Sequence, residues 1–382
     1  MNVSYYFASA RGDVRVDEAT LERPFIVPPV QPHPFMTLRD YFTSVRDFVL
    51  RDGGTSLASL VAELWGERVS PGDIADLVIR YEKYGTLYQI CSIDVSAAGQ
   101  KAMFVVSTAI SALAKETLNH EFDLLEKLNS RHTPSYLPRV YWKEAVTIQK
   151  EANRETLLMS LSEWFRGYHE WHFARDEQGK EGVIIWDMVG GYRLASDDEV
   201  YEIIRQASKI LTLYYDVRTH HRIYPWHHGA GDFVLKTEVD APTVKLITVR
   251  DYEPLMLPVD VREPSSRTFL TLFFLELTVK MRLDKKEGMG ESIWAGDYVL
   301  PAVLAGFLEA LQVKELEGAD ALSADALSAD EFMSHLKSLG EDEIRKMFRA
   351  YLNECRLHDQ SDYTAVAPEL DKHMQSLFRL RH

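Results

Sequence analysis

The hydrophobic and polar positions along the chain predict strands in some stretches and helices in others. Alternating β-branched and aromatic residues predict strands, and apolar residues three and four apart predict amphipathic helices. The predicted strands are Tyr81–Val95, Lys101–Ala109, Arg139–Ile148, Glu155–Leu161, Phe233–Lys236 and Thr243–Val249. The predicted helices are Leu38–Leu50, Ser56–Arg68, Leu118–Leu128, Ser196–Leu213, Ser266–Leu283, Asp297–Leu311, Phe332–Leu339 and Glu341–Cys355. We therefore expect an α+β fold.

The length, charge and cysteine content of the chain indicate a globular protein and argue against several other classes. A chain of 382 residues with 46% hydrophobic content can bury a sizeable core. The net charge of −15 argues against nucleic acid as the main partner. Only Cys91 and Cys355 occur, far apart, so we expect no disulfide framework and a reducing, cytoplasmic location. No signal peptide is expected, and the longest apolar segment, Phe269–Leu283, is too short and too charged to span a membrane.

The two ends of the chain differ in composition from the middle. Residues 1–75 join a proline-rich passage to two predicted helices, so we expect a helical N-terminal extension. Residues 314–382 contain a repeat of small and acidic residues, Asp320–Ala329, and then further helical patterns. We expect this segment to be a linker and a helical C-terminal appendage whose removal leaves the core folded. Either end could also bind a protein partner through its helices.

The stretch from Pro225 to Pro254 combines a glycine-containing loop with two predicted strands and acidic residues at both outer ends. If Glu238 pairs with Thr243, antiparallel pairing brings Asp232 and Asp251 to the open mouth of a hairpin. Two carboxylates beside a flexible loop suit a hard cation such as Mg²⁺. A surface hairpin with ordinary turn acids is the alternative.

This hairpin resembles the catalytic-loop and metal-loop hairpin of the protein-kinase-like superfamily, especially its aminoglycoside and choline phosphotransferase branch. In that superfamily a catalytic Asp precedes a metal-binding Asn by five residues, and a second metal-binding Asp follows the next strand. The resemblance places Asp232 at the Asn position, Asp251 at the second metal position and His227 at the catalytic base. It implies Mg²⁺ and a nucleotide such as ATP. Histidine in place of the catalytic Asp departs from the family.

The same resemblance extends from Tyr81 to Leu311 and implies a two-lobed fold. Residues 76–161 would form a small antiparallel-sheet N-lobe, and residues 162–313 a mostly helical C-lobe, with Ser162–Trp171 as the adenine-binding hinge. The order of strands, one helix, then strands is that of the family's N-lobe. A small sheet with one helix, unrelated to kinases, explains the same pattern.

The nucleotide-binding residues that the resemblance implies are incomplete. Glu121 takes the place of the helix glutamate that pairs with a strand lysine. Ser107 stands where that lysine is expected, with Lys101 on the same strand face. The glycine-rich loop is reduced to Gly85.

Histidines offer a second route to a metal site. His169 and His172 are three apart and could share a helix face, although packing in an aromatic cluster explains them as well. A second group flanks the exit of the helix that ends near Leu213: His220, His221, His227 and His228. Their spacing matches no established zinc motif.

Three functions follow. The first is a divergent kinase-like phosphotransferase that uses Mg²⁺ and a nucleotide triphosphate on an unknown small-molecule or protein acceptor. The second is a catalytically degenerate, pseudokinase-like binding or scaffold protein in a larger assembly. The third is an α+β interaction protein or a histidine-based, metal-dependent hydrolase.

Overall fold

The structure is a computed structural model in which the chain folds into two units. Unit 1 comprises Met1–Ser130 and Pro138–Arg166, and unit 2 comprises Arg131–Leu137 and Gly167–His382. The boundary at Arg166 lies within the predicted hinge. The structure describes residues 1–9, 11–27, 31–85, 87–133, 135–175, 181–187, 190–226, 232–238, 241–256, 265–285, 292–316, 327–358 and 360–380.

Unit 1 is built on a seven-stranded sheet with the strand order β2-β1-β5-β6-β7-β9-β8. All neighbours are antiparallel except β1 and β5, which are parallel. β3 and β4 form a separate hairpin. The strands of unit 1 are β1 (Asn2–Phe7), β2 (Val14–Arg15), β3 (Pro24–Val27), β4 (Gln31–Thr37), β5 (Ile74–Tyr84), β6 (Tyr88–Ala97), β7 (Gln100–Ala109), β8 (Val140–Lys150) and β9 (Asn153–Glu163).

Helices cover both faces of this sheet. They are α1 (Glu18–Leu21), α2 (Leu38–Val49), α3 (Thr55–Trp65) and α4 (Ala112–Asn129). The alternation of β7 buries Phe104 and Val106 on one face, where the Tyr41 hydroxyl of α2 lies 3.4 Å from Thr108 Oγ1. The opposite face includes Ala109, which packs with Leu118 of α4. The alternation in sequence therefore decides which helix each face receives.

Unit 2 contains a five-stranded antiparallel sheet with the order β12-β11-β10-β14-β15. Two short pairs, β13 with β16 and β17 with β18, lie outside it. The strands of unit 2 are β10 (His169–Arg175), β11 (Glu181–Asp187), β12 (Gly191–Leu194), β13 (His221–Ile223), β14 (Phe233–Lys236), β15 (Thr243–Leu246), β16 (Tyr252–Pro254), β17 (Leu283–Lys285) and β18 (Ser292–Trp294). Its helices are α5 (Asp197–Tyr214), α6 (Ser266–Lys280), α7 (Val299–Leu316), α8 (Ala329–Ser338), α9 (Glu341–His358), α10 (Gln360–Val366) and α11 (Leu370–Leu380).

The helix α5 begins where the sequence predicts. The Ser196 side chain accepts a hydrogen bond from the Glu199 N–H, and the Glu199 carboxylate accepts one from the Ser196 N–H. Further along, α5 crosses α7 at Gly306, where an added Cβ would meet the Arg205 carbonyl oxygen at 2.0 Å. Only glycine permits such a close approach of the two backbones.

The expected α+β class is confirmed, but several details of the predicted organisation are wrong. Residues 1–75 hold four strands besides their helices, and β1 pairs with β5, so they are not a helical extension. The segment Tyr81–Val95 is divided between β5 and β6. The part expected to be mostly helical, residues 162–313, carries the five-stranded sheet, because Trp171, Phe173, Val183 and Ile185 alternate inward toward a buried core.

The C-terminal helices are part of unit 2 and not an appendage. Phe332 of α8 is fully buried, and its ring centroid lies 4.7 Å from that of Phe307 and 5.3 Å from that of Phe274. In α10, Asp362 pairs with the buried Lys280 at 3.1 Å. Most of the small-residue repeat, residues 320–326, lies outside the described residues. Within the described ranges, no helix is long and apolar enough to cross a membrane.

Candidate functional site

The hairpin predicted near the middle of the chain forms, with a shifted register. Lys236 pairs with Thr243 and Phe233 pairs with Leu246, so the predicted pairing of Glu238 with Thr243 is wrong by two residues. A shift of two keeps every side chain on its predicted face. The ladder continues one step beyond the strands, because the Ile247 N–H donates to the Asp232 carbonyl at 2.8 Å.

Asp232 is held by an arginine. Its side chain is only 1% exposed, and Arg250 donates to both of its carboxylate oxygens, from Nη2 to Oδ1 at 2.5 Å and from Nη1 to Oδ2. A carboxylate that is removed from water needs such a partner to remain charged. Sequence reasoning missed this role of Arg250, although an arginine directly before a candidate metal ligand is a visible signal.

Asp251 lies where the hairpin returns to the short pair of β13 and β16. Its Oδ1 accepts the Tyr252 N–H at 2.7 Å, and its carbonyl oxygen accepts the Tyr224 N–H at 3.2 Å. The side chain is half-buried. These backbone bonds fix Asp251 at the end of the segment that begins with Asp232 and contains Arg250.

A tyrosine beside Asp251 anchors this region to the rest of unit 2. Arg131 donates to the Tyr252 hydroxyl at 2.7 Å, and that hydroxyl donates to the Tyr214 carbonyl at 2.9 Å. Burial raises the pKa of Tyr252 to about 12, so the phenol remains a donor at neutral pH. The chain around Asp251 is therefore fixed from two sides.

The described residues do not fit a divalent cation at Asp232. Both carboxylate oxygens accept from the Arg250 guanidinium, which already supplies the positive charge. In the part of the chain that the structure describes, no group of three or more His, Cys, Asp or Glu side chains could hold a metal ion. His227, the predicted base, and His228 lie outside the described residues.

The three predicted nucleotide-binding residues belong to unit 1. Gly85 lies between β5 and β6, and its N–H donates to the Tyr88 carbonyl at 2.8 Å. Lys101 is exposed on β7, on the same face as the half-buried Ser107. Glu121 is buried on α4. Asp232 and Asp251 belong to unit 2.

The histidine pair predicted to share a helix face lies instead on the strand β10. Residues three apart on a strand point to opposite faces. His169 Nδ1 lies 3.8 Å from Asp187 Oδ1. The Nδ1 atom of the buried His172 lies 3.8 Å from Asp284 Oδ2, and its ring packs against Trp186 in a tilted arrangement, with ring centroids 4.1 Å apart. The two histidines therefore cannot share a metal ion through one face.

The second histidine group is occupied by local contacts where it is described. His220 Nδ1 lies 3.0 Å from the Tyr215 hydroxyl, and its ring stacks on Phe269 with a centroid distance of 3.8 Å. Burial lowers the pKa of His220 below its ordinary value. His221 Nδ1 lies 3.1 Å from the Thr219 carbonyl oxygen. These contacts fix a turn and give the hydrolase hypothesis no support.

No protein-family model matches this chain, and no curated protein is significantly similar to it.

Proposed function

We propose that this chain is a kinase-like protein that has lost metal-dependent phosphoryl transfer and acts as a binding or scaffold module. The observation that carries the proposal is the pair formed by Asp232 and Arg250. The resemblance gives Asp232 the role of a metal ligand, and in this chain an arginine takes both of its oxygens. Arg250 therefore replaces the metal ion as the charge partner of the hairpin.

The order of elements supports the kinase-like part of the proposal. In unit 2, the long helix α5 is followed by β13, the β14–β15 hairpin, Asp251 and then β16. In unit 1, β5, β6 and β7 precede α4, and β8 and β9 follow it. These two stretches agree with the order that the resemblance implies, whereas β10–β12, which precede α5, do not belong to a mostly helical lobe.

The electrostatics of the pair oppose a change of partner. A cation that enters at Asp232 must displace a bidentate guanidinium from a buried carboxylate, and it must also lie close to that positive charge. Arg250 is itself partly buried, with 32% of its side chain exposed. The pair of Asp232 and Arg250 is therefore a stable substitute for a metal ion, and it does not leave the carboxylate open to one.

The proposal is tested by removing the arginine. We expect Arg250→Ala to lower the free energy of unfolding by about 3 kcal/mol, because a buried carboxylate loses its partner. If Arg250 occupies the position of a metal ion, Mg²⁺ should restore part of that loss, about 1.4 kcal/mol at ten times its dissociation constant. Urea unfolding with and without MgCl₂, at constant ionic strength, measures both effects.

Lys236→Ala provides the matched control on the same hairpin, because its pair with Glu238 is exposed. Its loss should stay below about 1 kcal/mol and should not respond to Mg²⁺. If NaCl restores the unfolding free energy of Arg250→Ala as well as MgCl₂ does, Arg250 does not take the place of a metal ion and the hairpin is an ordinary salt-bridged turn.

The second candidate is the divergent phosphotransferase that uses Mg²⁺ and ATP. Asp251 favours it, since this half-buried carboxylate stands at the second metal position and is fixed there by the Tyr252 N–H. In that case Mg²⁺ would bind through Asp251 together with nucleotide phosphate.

A further inference from the structure

Unit 1 contains a cavity of about 660 Å³ that none of the predicted site residues lines. We name it the α3 cavity. One wall is α3, the other is the end of α4, and the floor is the beginning of β8. The lining residues that matter here are Leu60, Glu63, Leu64, Glu126, Arg139 and Tyr141.

Four charged side chains line the α3 cavity, and Arg51 is the paired one, with Asp52 at 3.5 Å and Glu144 at 3.7 Å. Among the residues that the structure describes, Glu63 and Glu126 form no ion pair and no side-chain hydrogen bond, and the Arg139 guanidinium forms none either. By contrast Lys143, just beyond the cavity on β8, is paired with Asp123 at 2.5 Å. Two unpaired carboxylates on opposite walls, against the single unpaired guanidinium of Arg139, thus remain available to a cation from outside.

Apolar and aromatic groups lie between these charges. Leu64 is 42% exposed, and Leu60 and Trp142 are half-buried. The indole Nε1 of Trp142 is buried and has no hydrogen-bond partner. Burial raises the pKa of Tyr141 to about 12, so its phenol is a donor at neutral pH. The cavity therefore offers apolar groups on its α3 wall and aromatic, hydrogen-bonding groups on its β8 floor.

We propose that the α3 cavity binds a peptide segment of a partner protein in which a basic side chain stands next to an apolar one. The basic side chain would pair with Glu63 or Glu126, and the apolar one would cover Leu64 and Leu60. β8 is the last strand of the sheet, and an edge strand offers main-chain groups to an extended peptide. The net charge of −15 also favours a basic partner.

This proposal depends on unit 1 alone. It names a surface for the binding role proposed above, but it does not require that the hairpin of unit 2 be kinase-like. A failed result with Arg250→Ala would leave it standing, and a failed peptide result would leave the hairpin proposal standing.

The test uses two fluorescein-labelled octapeptides, one alternating leucine with lysine and one alternating leucine with glutamate. Fluorescence polarisation with the full chain should show binding of the lysine peptide and at least tenfold weaker binding of the glutamate peptide. Leu64→Ser and the double variant Glu63→Gln with Glu126→Gln should each weaken the lysine peptide at least tenfold, since each removes one half of the recognition.

Matched controls lie on α4 outside the cavity. Leu113 is 65% exposed and Glu116 is exposed, so Leu113→Ser and Glu116→Gln remove the same groups from another surface. They should leave the affinity unchanged. If the cavity and control variants lose the same affinity, the lysine peptide binds only through the overall negative charge of the protein, which contradicts the proposal. Unchanged affinity in the cavity variants would also overturn it.

Discussion

In unit 2, two buried ionisable side chains, Asp232 and Lys280, have a partner of opposite charge, and a third, His373, remains neutral. Asp232 is paired with Arg250, and Lys280 with Asp362. His373 is the neutral case. Its Nδ1 lies 3.0 Å from Arg282 Nη1, and its Nε2 lies 3.1 Å from the Thr278 hydroxyl. Burial, together with the charge of Arg282, lowers the pKa of His373 to about 3.

The lowered pKa of His373 makes stability depend on pH. The unfolded chain protonates this histidine below its ordinary pKa near 6.5, and the folded chain does not do so until about pH 3. Its contribution is therefore complete above pH 6.5 and is lost as the pH falls toward 3. At pH 5 the loss should be about 2 kcal/mol.

His373→Gln isolates this effect, because glutamine keeps a donor and an acceptor but does not titrate. Between pH 7 and pH 5, the wild type should lose about 2 kcal/mol more unfolding free energy than the variant. Urea unfolding at both pH values measures the difference. Parallel losses in the two proteins would show that His373 is protonated in the folded state or accessible to water.

At the scale of elements, the C-terminal helices show where sequence patterns are reliable and where they are not. The helix predicted over Phe332–Leu339 exists as α8, and a capping box of Ser328 and Glu331 starts it three residues earlier, at Ala329. The pattern could not show that Phe332 packs on Phe274 and Phe307, because those partners lie elsewhere in the sequence. Local periodicity identifies an apolar face but not the surface that covers it.

The same helices supply a prediction about the pair of Lys280 and Asp362, which are 5% and 3% exposed at their side chains. Asp362→Asn leaves a buried ammonium without its partner and should lower the free energy of unfolding by about 3–5 kcal/mol. Asp371→Asn removes an exposed partner of Arg345 and should cost less than about 1 kcal/mol. If Asp362→Asn and Asp371→Asn both lower the free energy of unfolding by the same small amount, the helices α8–α11 contribute little to the core and the prediction of an appendage stands.

At the scale of the whole molecule, the predictable parts are those with strong local patterns. The hairpin β8–β9 and the helix α5 lie within two residues of their predicted bounds, and α4 ends one residue after its predicted end but begins six residues before its predicted start. The parallel pairing of β1 with β5 was not predictable, since it joins residues more than seventy positions apart and leaves no local period. β10–β12 were not predicted, and the first three residues of β10, His169–Trp171, were interpreted as part of a hinge.

The candidate site illustrates the same limit in chemical terms. Sequence reasoning identified the hairpin and its two carboxylates, because turn residues and β-branched runs are local signals. The partner of Asp232 depends on how the chain returns after β15, which brings Arg250 onto a residue eighteen positions earlier. Comparison with the family motif predicts that Asp232 is a metal ligand. The geometry shows instead that both of its oxygens accept hydrogen bonds from Arg250.

The central claim is that the hairpin no longer serves metal-dependent nucleotide binding. The most direct measurement is the melting temperature of the wild type with ATP alone, with Mg²⁺ alone and with both together, beside Asp251→Asn as the control. We predict that ATP and Mg²⁺ together raise the melting temperature no more than either ligand alone, because the Arg250 guanidinium already binds both carboxylate oxygens of Asp232. A rise that appears only with ATP and Mg²⁺ together, and that Asp251→Asn abolishes, would contradict the account and favour the divergent phosphotransferase.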